Sequence, residues 1–269
     1  MNLAVLTSVE TRHRYFVQTL AGRFDVRAVG YERTGYSPAD TECHDLTHDE
    51  RRIVAEHFAE RTRQEEIFFG GTAAFLAGSP RTRVLMIEPG RLNSEATLEL
   101  LESADVDAVA VYGTNLVRPP LLDRFAGRLV NMHLGLSPYY RGTATNFYPL
   151  LNEEPEYVGA TIHLLDAGID SGEILAHARP VIVADDRPHT IGCKAIRAGI
   201  EKLIEVLPEW HAGRRKPVPQ WPLPDPRVYL RKHYHPRQVV ALYRKLSEGL
   251  IPRYVECAAV RAAAVRLIE

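Results

Sequence analysis

The chain has 269 residues, of which 45% are hydrophobic and 25% charged, a composition typical of a soluble globular protein with a sizeable core. Its formal net charge of -1 gives no electrostatic reason to expect nucleic acid as a partner. The three cysteines, at positions 43, 193 and 257, do not suit a disulfide framework and favour the cytoplasm. We find neither a signal segment nor an apolar run of about 18 residues, so no membrane association is expected.

The amino-terminal half alternates short apolar runs with amphipathic segments. Thr47 and Glu50 have the spacing of a helix capping box, and Asn93 is a candidate cap for a later helix. Because strands separated by helices pair in parallel through right-handed crossovers, we predict an α/β fold with a Rossmann-like, doubly wound, mostly parallel sheet. Strands are predicted over 2–7, 25–31, 83–87, 107–112 and 129–133, and helices over 11–22, 47–62 and 94–103.

The second half of the sequence has a different pattern. Residues 157–165 and 173–183 are predicted to form an antiparallel strand pair that extends the sheet. We divide the chain into one domain over 1–212 and a Pro-rich connector with a short helical C-terminal tail over 213–269. Further helices are predicted over about 190–205, 236–248 and 251–267, and the connector at 216–226 contains five prolines.

Polar side chains with catalytic potential lie at the carboxyl end of the fifth predicted strand. Asn131 and His133 are two positions apart, so both face the same side of that strand. Ligands of open α/β sheets bind outside the carboxyl ends of the strands, which places both side chains at a candidate site. Taken alone, the pattern Asn-x-His is weak, since two ordinary polar residues can end any strand.

Two later loops strengthen the functional interpretation. Residues 136–142 read Leu-Ser-Pro-Tyr-Tyr-Arg-Gly, in which the proline stiffens the loop and the glycine permits a sharp turn. Asp170 lies between Gly168 and Gly172, which would let the backbone wrap closely around a ligand. A solvated turn aspartate is the plainer interpretation of Asp170, but the ordered set of motifs, with Gly-Ala-Thr-Ile-His at 159–163 between them, is hard to reach by chance.

These motifs resemble those of the folate-dependent formyltransferases, which include glycinamide ribonucleotide, methionyl-tRNA and sugar-nucleotide enzymes. The resemblance is clearest over residues 107–180. It implies that Asn131, His133 and Asp170 are the catalytic residues, that N10-formyltetrahydrofolate is the cosubstrate, and that no metal takes part. The positions that match the cofactor-binding segment and the aspartate loop are Tyr112, Gly113, Thr114, Asn115, Leu116, Val117, Asp166 and Gly168.

The residues expected to bind the acceptor substrate lie in the 136–142 loop and in two segments where the sequence departs from its relatives. Residues 143–148 replace a proline and a tryptophan that relatives commonly carry, and residues 8–14 contain no glycine for a phosphate loop. Arg12, His13 and Arg14 could bind an anion through their side chains instead, and a solvated first helical turn is an equally good interpretation. The candidate substrate-binding residues are Arg12, Arg14, Ser137, Tyr139, Arg141, Thr145 and Asn146.

The chemistry implied by the resemblance is acyl transfer to an amine. The Asn131 amide would donate to the oxygen that gains negative charge, and His133 would exchange protons with the attacking or leaving nitrogen. Asp170 would favour the imidazolium form of His133. His163 is expected to be a structural neighbour rather than the base.

The acceptor is expected to be a nucleotide-linked amino sugar of polysaccharide biosynthesis. Methionyl-tRNA enzymes carry a further barrel domain, whereas residues 213–269 read as helical. Other acceptors stay open: methionyl-tRNA, glycinamide ribonucleotide, an amino acid or a peptide. Two other functions stay open as well, hydrolysis of formyl-folate and binding without catalysis. The protein could also form a homodimer. Metal-binding side chains at 43–45, 48 and 49 match no standard zinc spacing.

Overall fold

A computed structural model describes residues 1–33, 45–71 and 81–269. Cys43 and His44, part of the segment weighed as a metal site, lie outside the described residues. The described residues contain nine strands, in chain order: β1 Asn2–Thr7, β2 Asp25–Glu32, β3 Arg83–Ile87, β4 Ala108–Tyr112, β5 Leu129–His133, β6 Tyr140–Gly142, β7 Ala160–Leu164, β8 Ile174–Ala178 and β9 Arg227–Tyr229.

Eight α-helices lie among the described residues. They are α1 Thr11–Ala21, α2 His48–Phe69, α3 Glu95–Glu102, α4 Leu121–Arg124, α5 Tyr148–Leu151, α6 Pro188–His211, α7 Arg237–Ser247 and α8 Leu250–Ala263. In this part of the chain, no helix is both long enough and apolar enough to cross a membrane.

Seven of the strands form one sheet in the order β3-β2-β1-β4-β5-β7-β8. The first five in that order pair in parallel, and β7 pairs antiparallel with both β5 and β8. This arrangement confirms the predicted mostly parallel α/β sheet with its antiparallel extension. Parallel pairing brings the carboxyl ends of β1, β2, β4 and β5 to one edge, where the candidate residues lie.

Helices cover both faces of the sheet, as β1 shows. Its fully buried Leu3 and Val5 belong to the core beneath α1 and α6, whereas Ala4 and Leu6 belong to the core beneath α3 and α4. A strand buried on both faces needs a continuous apolar run, and this is why residues 2–7 are almost uniformly apolar. The two cores fix the sheet, and therefore the spacing of the loops at its edge.

Helix starts show one confirmed prediction and one error. The Thr47 hydroxyl accepts from the Glu50 backbone N–H, and the Glu50 carboxylate accepts from the Thr47 N–H, which completes the predicted capping box. Asn93 does not cap α3, whose cap position is Ser94. The Asn93 side-chain amide instead bonds to the segment after β4, where its Oδ1 accepts from the Arg118 backbone N–H at 2.7 Å. The backbone groups of that segment compete with the start of α3 for the Asn93 side chain.

Residues 213–269 return to the edge of the sheet where the strands end. The short strand β9 pairs in parallel with β6, and α7 packs against α2 and α5. The two helices predicted for this segment are present at 237–247 and 250–263. The division of the chain at residue 212 stays a prediction.

Candidate active site

The predicted site residues converge on a cavity of about 650 Å³ at the carboxyl edge of the sheet. The first turn of α1, the segments after β4 and β5, and the loop between β7 and β8 all contribute to its lining. The predicted residues that line it are Arg12, Tyr112, Gly113, Thr114, Asn115, Leu116, Val117, Asn131, His133, Thr145, Asn146, Asp166, Gly168 and Asp170.

Four predicted substrate-binding residues are not among the described residues that line this cavity: Arg14, Ser137, Tyr139 and Arg141. The backbone of Ser137 is engaged elsewhere, since its N–H donates to the Thr161 hydroxyl at 2.8 Å and its carbonyl lies 2.7 Å from His177 Nε2. The Tyr139 hydroxyl contacts the backbone of Arg266. These contacts hold the first part of the 136–142 loop away from the cavity.

Asp170 is held in place by backbone and side-chain contacts on several sides. Its Oδ2 accepts from the Gly142 backbone N–H at 2.8 Å and lies 3.3 Å from His133 Nδ1. Its Oδ1 accepts from Asn131 Nδ2 at 3.4 Å. Burial alone would raise the pKa of Asp170, but the neighbouring histidines and the Gly142 N–H outweigh burial and hold that pKa well below its usual range. The carboxylate is therefore ionised at neutral pH.

His133 lies between two acceptors in a buried position. Its Nδ1 faces Asp170, and its Nε2 lies 3.1 Å from the Tyr140 carbonyl oxygen and 3.3 Å from the Thr145 hydroxyl. Burial is the largest influence and lowers the pKa of His133 below 6.5, although Asp170 acts in the opposite direction. As expected, Asp170 favours the imidazolium form, but burial outweighs that influence and the net effect lowers the pKa of His133.

Asn131 and His163 face each other across the antiparallel pair of β5 and β7. Because His163 Nδ1 lies 2.9 Å from the Leu164 carbonyl and donates to it, the ring's Nε2 accepts from Asn131 Nδ2 at 3.1 Å. This contact orients the Asn131 amide, and none of the described groups donates to its Oδ1. His163 is fully buried and contacts both Asn131 and Asp170, which fits the expected supporting position.

A buried carboxylate supports the segment after β4. Glu32 is 1% exposed, and its two oxygens accept from the Asn115 backbone N–H and side-chain Nδ2, each at 2.8 Å. The Asn115 Oδ1 then accepts from the Arg231 guanidinium at 2.8 Å. Glu32 thus fixes one wall of the cavity and, through it, a residue of the C-terminal segment.

At the corner after β1, the charged side chains already form ion pairs and are not free to bind a ligand. The Arg12 guanidinium contacts Glu65 at 2.6 Å. Burial would lower the pKa of Arg12, but Glu65, Tyr112 and Glu10 together outweigh burial and raise it. Burial and the adjacent Arg12 lower the pKa of His13 to about 4, so His13 is neutral at neutral pH and contacts Glu10 at 2.6 Å. An incoming anion would have to compete with Glu65 for Arg12, so this corner is poorly suited to a phosphate.

Some residues in and around the cavity escaped the sequence analysis, whereas His13 is one of the predicted anion-binding candidates. Glu32 ends β2 at the same edge as Asn131, so the rule that ligand sites lie at strand ends could have found its position. His13 packs where a side chain on Gly113 would collide with its Nε2, and Gly113 has a positive φ of 69°. The other missed residues include Tyr229, Leu230 and Arg231, which reach the cavity from the C-terminal segment without any local signal.

A family model described as Formyl transferase matches residues 41–207, more than half of the chain. Methionyl-tRNA formyltransferase of Streptococcus uberis is 34% identical over 133 residues, which cover 49% of this chain and 42% of that protein. The chain therefore spans less than half the length of the curated relatives it matches.

Two solved structures share the fold at low identity. Phosphoribosylglycinamide formyltransferase from Anaplasma phagocytophilum has a TM-score of 0.56 and 13% identity, covering 86% of this chain and 97% of that one. The formyltransferase PseJ from Anoxybacillus kamchatkensis, in complex with UDP-4,6-dideoxy-4-formamido-L-AltNAc and tetrahydrofolate, has a TM-score of 0.50 and 17% identity, covering 87% of each chain.

Replacing Glu32 tests the support of the cavity wall. Glu32→Gln removes one of two acceptors, so the free energy of unfolding should fall by about 1–3 kcal/mol as a buried donor is left unpaired. Urea unfolding measures this, with Glu88→Gln as the control because that side chain is 65% exposed. Equal effects of the two substitutions would contradict the supporting role of Glu32.

The balance of burial and charge at His133 can be measured directly. We expect the His133 ring resonance, assigned with a His133→Ala variant, to titrate with a midpoint below 6.5 in an NMR pH series. Asp170→Asn removes an influence that raises this pKa, so the midpoint should move lower still. A midpoint above 6.5 in the wild-type protein, or an upward shift in the variant, would show that burial does not dominate.

Proposed function

We propose that this chain, which belongs to the formyl transferase family, transfers a formyl group from N10-formyltetrahydrofolate to a primary amine. N10-formyltetrahydrofolate is the cosubstrate of this folate-dependent family. The observation that carries the proposal is the meeting of Asn131, His133 and Asp170 in one cavity at the carboxyl edge of the sheet. Together they supply an amide, a neutral imidazole and a carboxylate within hydrogen-bonding or ion-pair distance of one another.

The cavity suits a folate in its size and in the character of its walls. A volume of about 650 Å³ lies within the roughly 300–1,000 Å³ typical of small-molecule sites. Val111, Val117 and Leu165 provide apolar surface for a flat ring, and the backbone of residues 113–116 provides polar groups at its rim. These residues would hold the cosubstrate, which supplies the formyl carbon and the nitrogen that leaves.

His133 is the group best placed to move a proton. Because burial keeps its imidazole neutral at neutral pH, the ring can accept a proton from the attacking amine and return it to the leaving nitrogen. Asp170 stabilises the charged ring during the interval in which it carries that proton. The ring therefore begins the reaction as a base, rather than as the acid that charge proximity alone suggests.

The hydrogen bonds that the Asn131 side chain already makes occupy the N–H groups that would donate to an oxyanion. Its Nδ2 already donates to His163 and approaches Asp170 Oδ1. Its Oδ1 is then the atom turned to a ligand, and it can accept an N–H from the attacking amine and orient the nitrogen's lone pair toward the formyl carbon. Donation to the developing oxygen would require Nδ2 to leave His163 or Asp170.

For the acceptor, we propose a nucleotide-linked amino sugar. The UDP-sugar formyltransferase aligns over 87% of both chains, and the C-terminal segment contributes Tyr229, Leu230 and Arg231 to the cavity. The pairing of Arg12 with Glu65 argues against an acceptor phosphate at the corner after β1. This supports an acceptor whose anionic part lies elsewhere, as a nucleotide diphosphate on the far side of a sugar would.

Substitution of the two central residues tests the proposed reaction. His133→Ala and Asp170→Asn should each reduce turnover by roughly 10²–10⁴-fold, because each removes part of the proton-transfer machinery. The substrates are N10-formyltetrahydrofolate with a panel of UDP- and dTDP-linked amino sugars, and product is detected as a mass gain of about 28 Da from the added carbonyl.

Matched controls separate this result from a folding defect. His48→Ala and Asp25→Asn change exposed side chains that do not line the cavity and should retain wild-type turnover. Near-wild-type rates in either central variant would reject the catalytic assignment. Transfer to glycinamide ribonucleotide or methionyl-tRNA, with none to the sugar panel, would retain formyl transfer and reject the sugar acceptor.

A further inference from the structure

The short strand β6 contacts both members of the His133–Asp170 pair. At one end, the Tyr140 carbonyl oxygen lies 3.1 Å from His133 Nε2. At the other end, the Gly142 backbone N–H donates to Asp170 Oδ2 at 2.8 Å. Since the two contacts are made by backbone atoms two residues apart, the position of β6 sets where the imidazole and the carboxylate lie relative to each other.

Among the described residues, β6 has a single strand partner, and that partner comes from the C-terminal segment. Tyr140 pairs with Arg227 and Gly142 with Tyr229, and the Thr143 N–H donates to the Tyr229 carbonyl at 2.8 Å. The backbones approach so closely that a side chain at position 142 would collide with the Tyr229 carbonyl. A strand of three residues has too few hydrogen bonds to keep its position alone, so β6 depends on β9.

The strand β9 is in turn fixed by a polar and aromatic cluster. The Arg227 guanidinium donates to both carboxylate oxygens of Glu154, one of them at 3.0 Å, and to the Tyr140 hydroxyl. The ring of Tyr229 stacks on that of Tyr148 with centroids 3.6 Å apart and an angle of 10°. Bidentate Arg–carboxylate pairs restrict orientation as well as distance, so this cluster fixes β9 against Tyr140, Tyr148 and Glu154.

We propose that Arg227 and Glu154 are positioning residues, which align His133 with Asp170 through the β6–β9 strand pair. Neither side chain is among the described residues lining the cavity, so their effect is transmitted through Tyr140 and Gly142 rather than through contact with substrate. The predicted effect on kcat rests on the proposed formyl transfer. The predicted effect on the position of β6 rests only on the β6–β9 strand pairing. The inference makes the C-terminal segment a required part of the active site.

The kinetic test uses Arg227→Met and Glu154→Gln. Because a misplacement of about 1 Å can cost on the order of 100-fold in rate, we expect kcat to fall about 10–100-fold. The KM for N10-formyltetrahydrofolate should stay within about threefold, since neither residue contacts the cavity. The doubly substituted Arg227→Glu, Glu154→Arg protein restores the opposite charges and should regain part of the lost kcat.

The structural test does not require activity. Hydrogen exchange followed by NMR should show faster exchange of the Gly142 and Thr143 amides in Arg227→Met, with core amides of β4 unchanged. Arg214→Gln is the matched control, because Arg214 makes a bidentate pair with Glu209 at 2.7 and 2.8 Å at the far end of α6. The Arg214→Gln substitution should change neither kcat nor the exchange rates of the Gly142 and Thr143 amides.

The outcomes distinguish this inference from the proposed function. If the wild-type protein transfers no formyl group, the proposed function fails, and the exchange of the Gly142 amide still decides whether Arg227 holds β6. Unchanged exchange in Arg227→Met would overturn the inference. So would a kcat loss no greater than that of Arg214→Gln, or a loss confined to KM.

Discussion

The contact between the Asp170 carboxylate and the Gly142 backbone N–H is the constraint on which the rest of the site depends. Asp170 lies in a loop between two strands with a positive φ of 46°, and its side chain is 15% exposed. A carboxylate in such a place stays ionised only while donors surround it. The sheet supplies Asn131 and His133 from β5, and the strand pair β6–β9 supplies Gly142. Loss of any one of these donors would leave the Asp170 carboxylate with fewer contacts to offset the free-energy cost of burying its charge.

Burial and neighbouring charge compete at each ionisable group of the site, and the outcome differs between groups. His133 is next to an ionised carboxylate, which favours its protonated form, yet burial lowers its pKa further than Asp170 raises it. The opposite holds at the corner after β1, where neighbouring groups, Glu65 first among them, outweigh burial and Arg12 keeps its charge. A neutral imidazole beside a carboxylate suits an acceptor of protons, and a paired guanidinium suits a structural position. Both conclusions required the packing around the side chains to be known.

Local signals in the sequence predicted the parts of the fold that local interactions determine. The apolar runs gave the strands of the main sheet, and the spacing of Thr47 and Glu50 gave a capping box that the structure confirms. The spacing of Asn131 and His133 placed both at a strand end, and the glycines around Asp170 placed it in a close turn.

The features that could not be predicted depend on contacts between distant segments. Tyr140 and Arg227 are 87 positions apart, and three-residue strands have no periodicity of their own. The burial that decides the pKa of His133 is also a property of the assembled fold, and Asn93 was misassigned because its competing backbone partners lie on another loop.

The fate of the formyl carbon tests the central claim most directly. The protein would be incubated with N10-formyltetrahydrofolate labelled with carbon-13 in the formyl group and a panel of UDP- and dTDP-linked amino sugars, and the label followed by NMR. We expect the label to appear in a formamide on the amine, and Asp170→Asn to suppress this signal. Label recovered only as free formate, at the same rate with and without amine, would contradict formyl transfer to an amine.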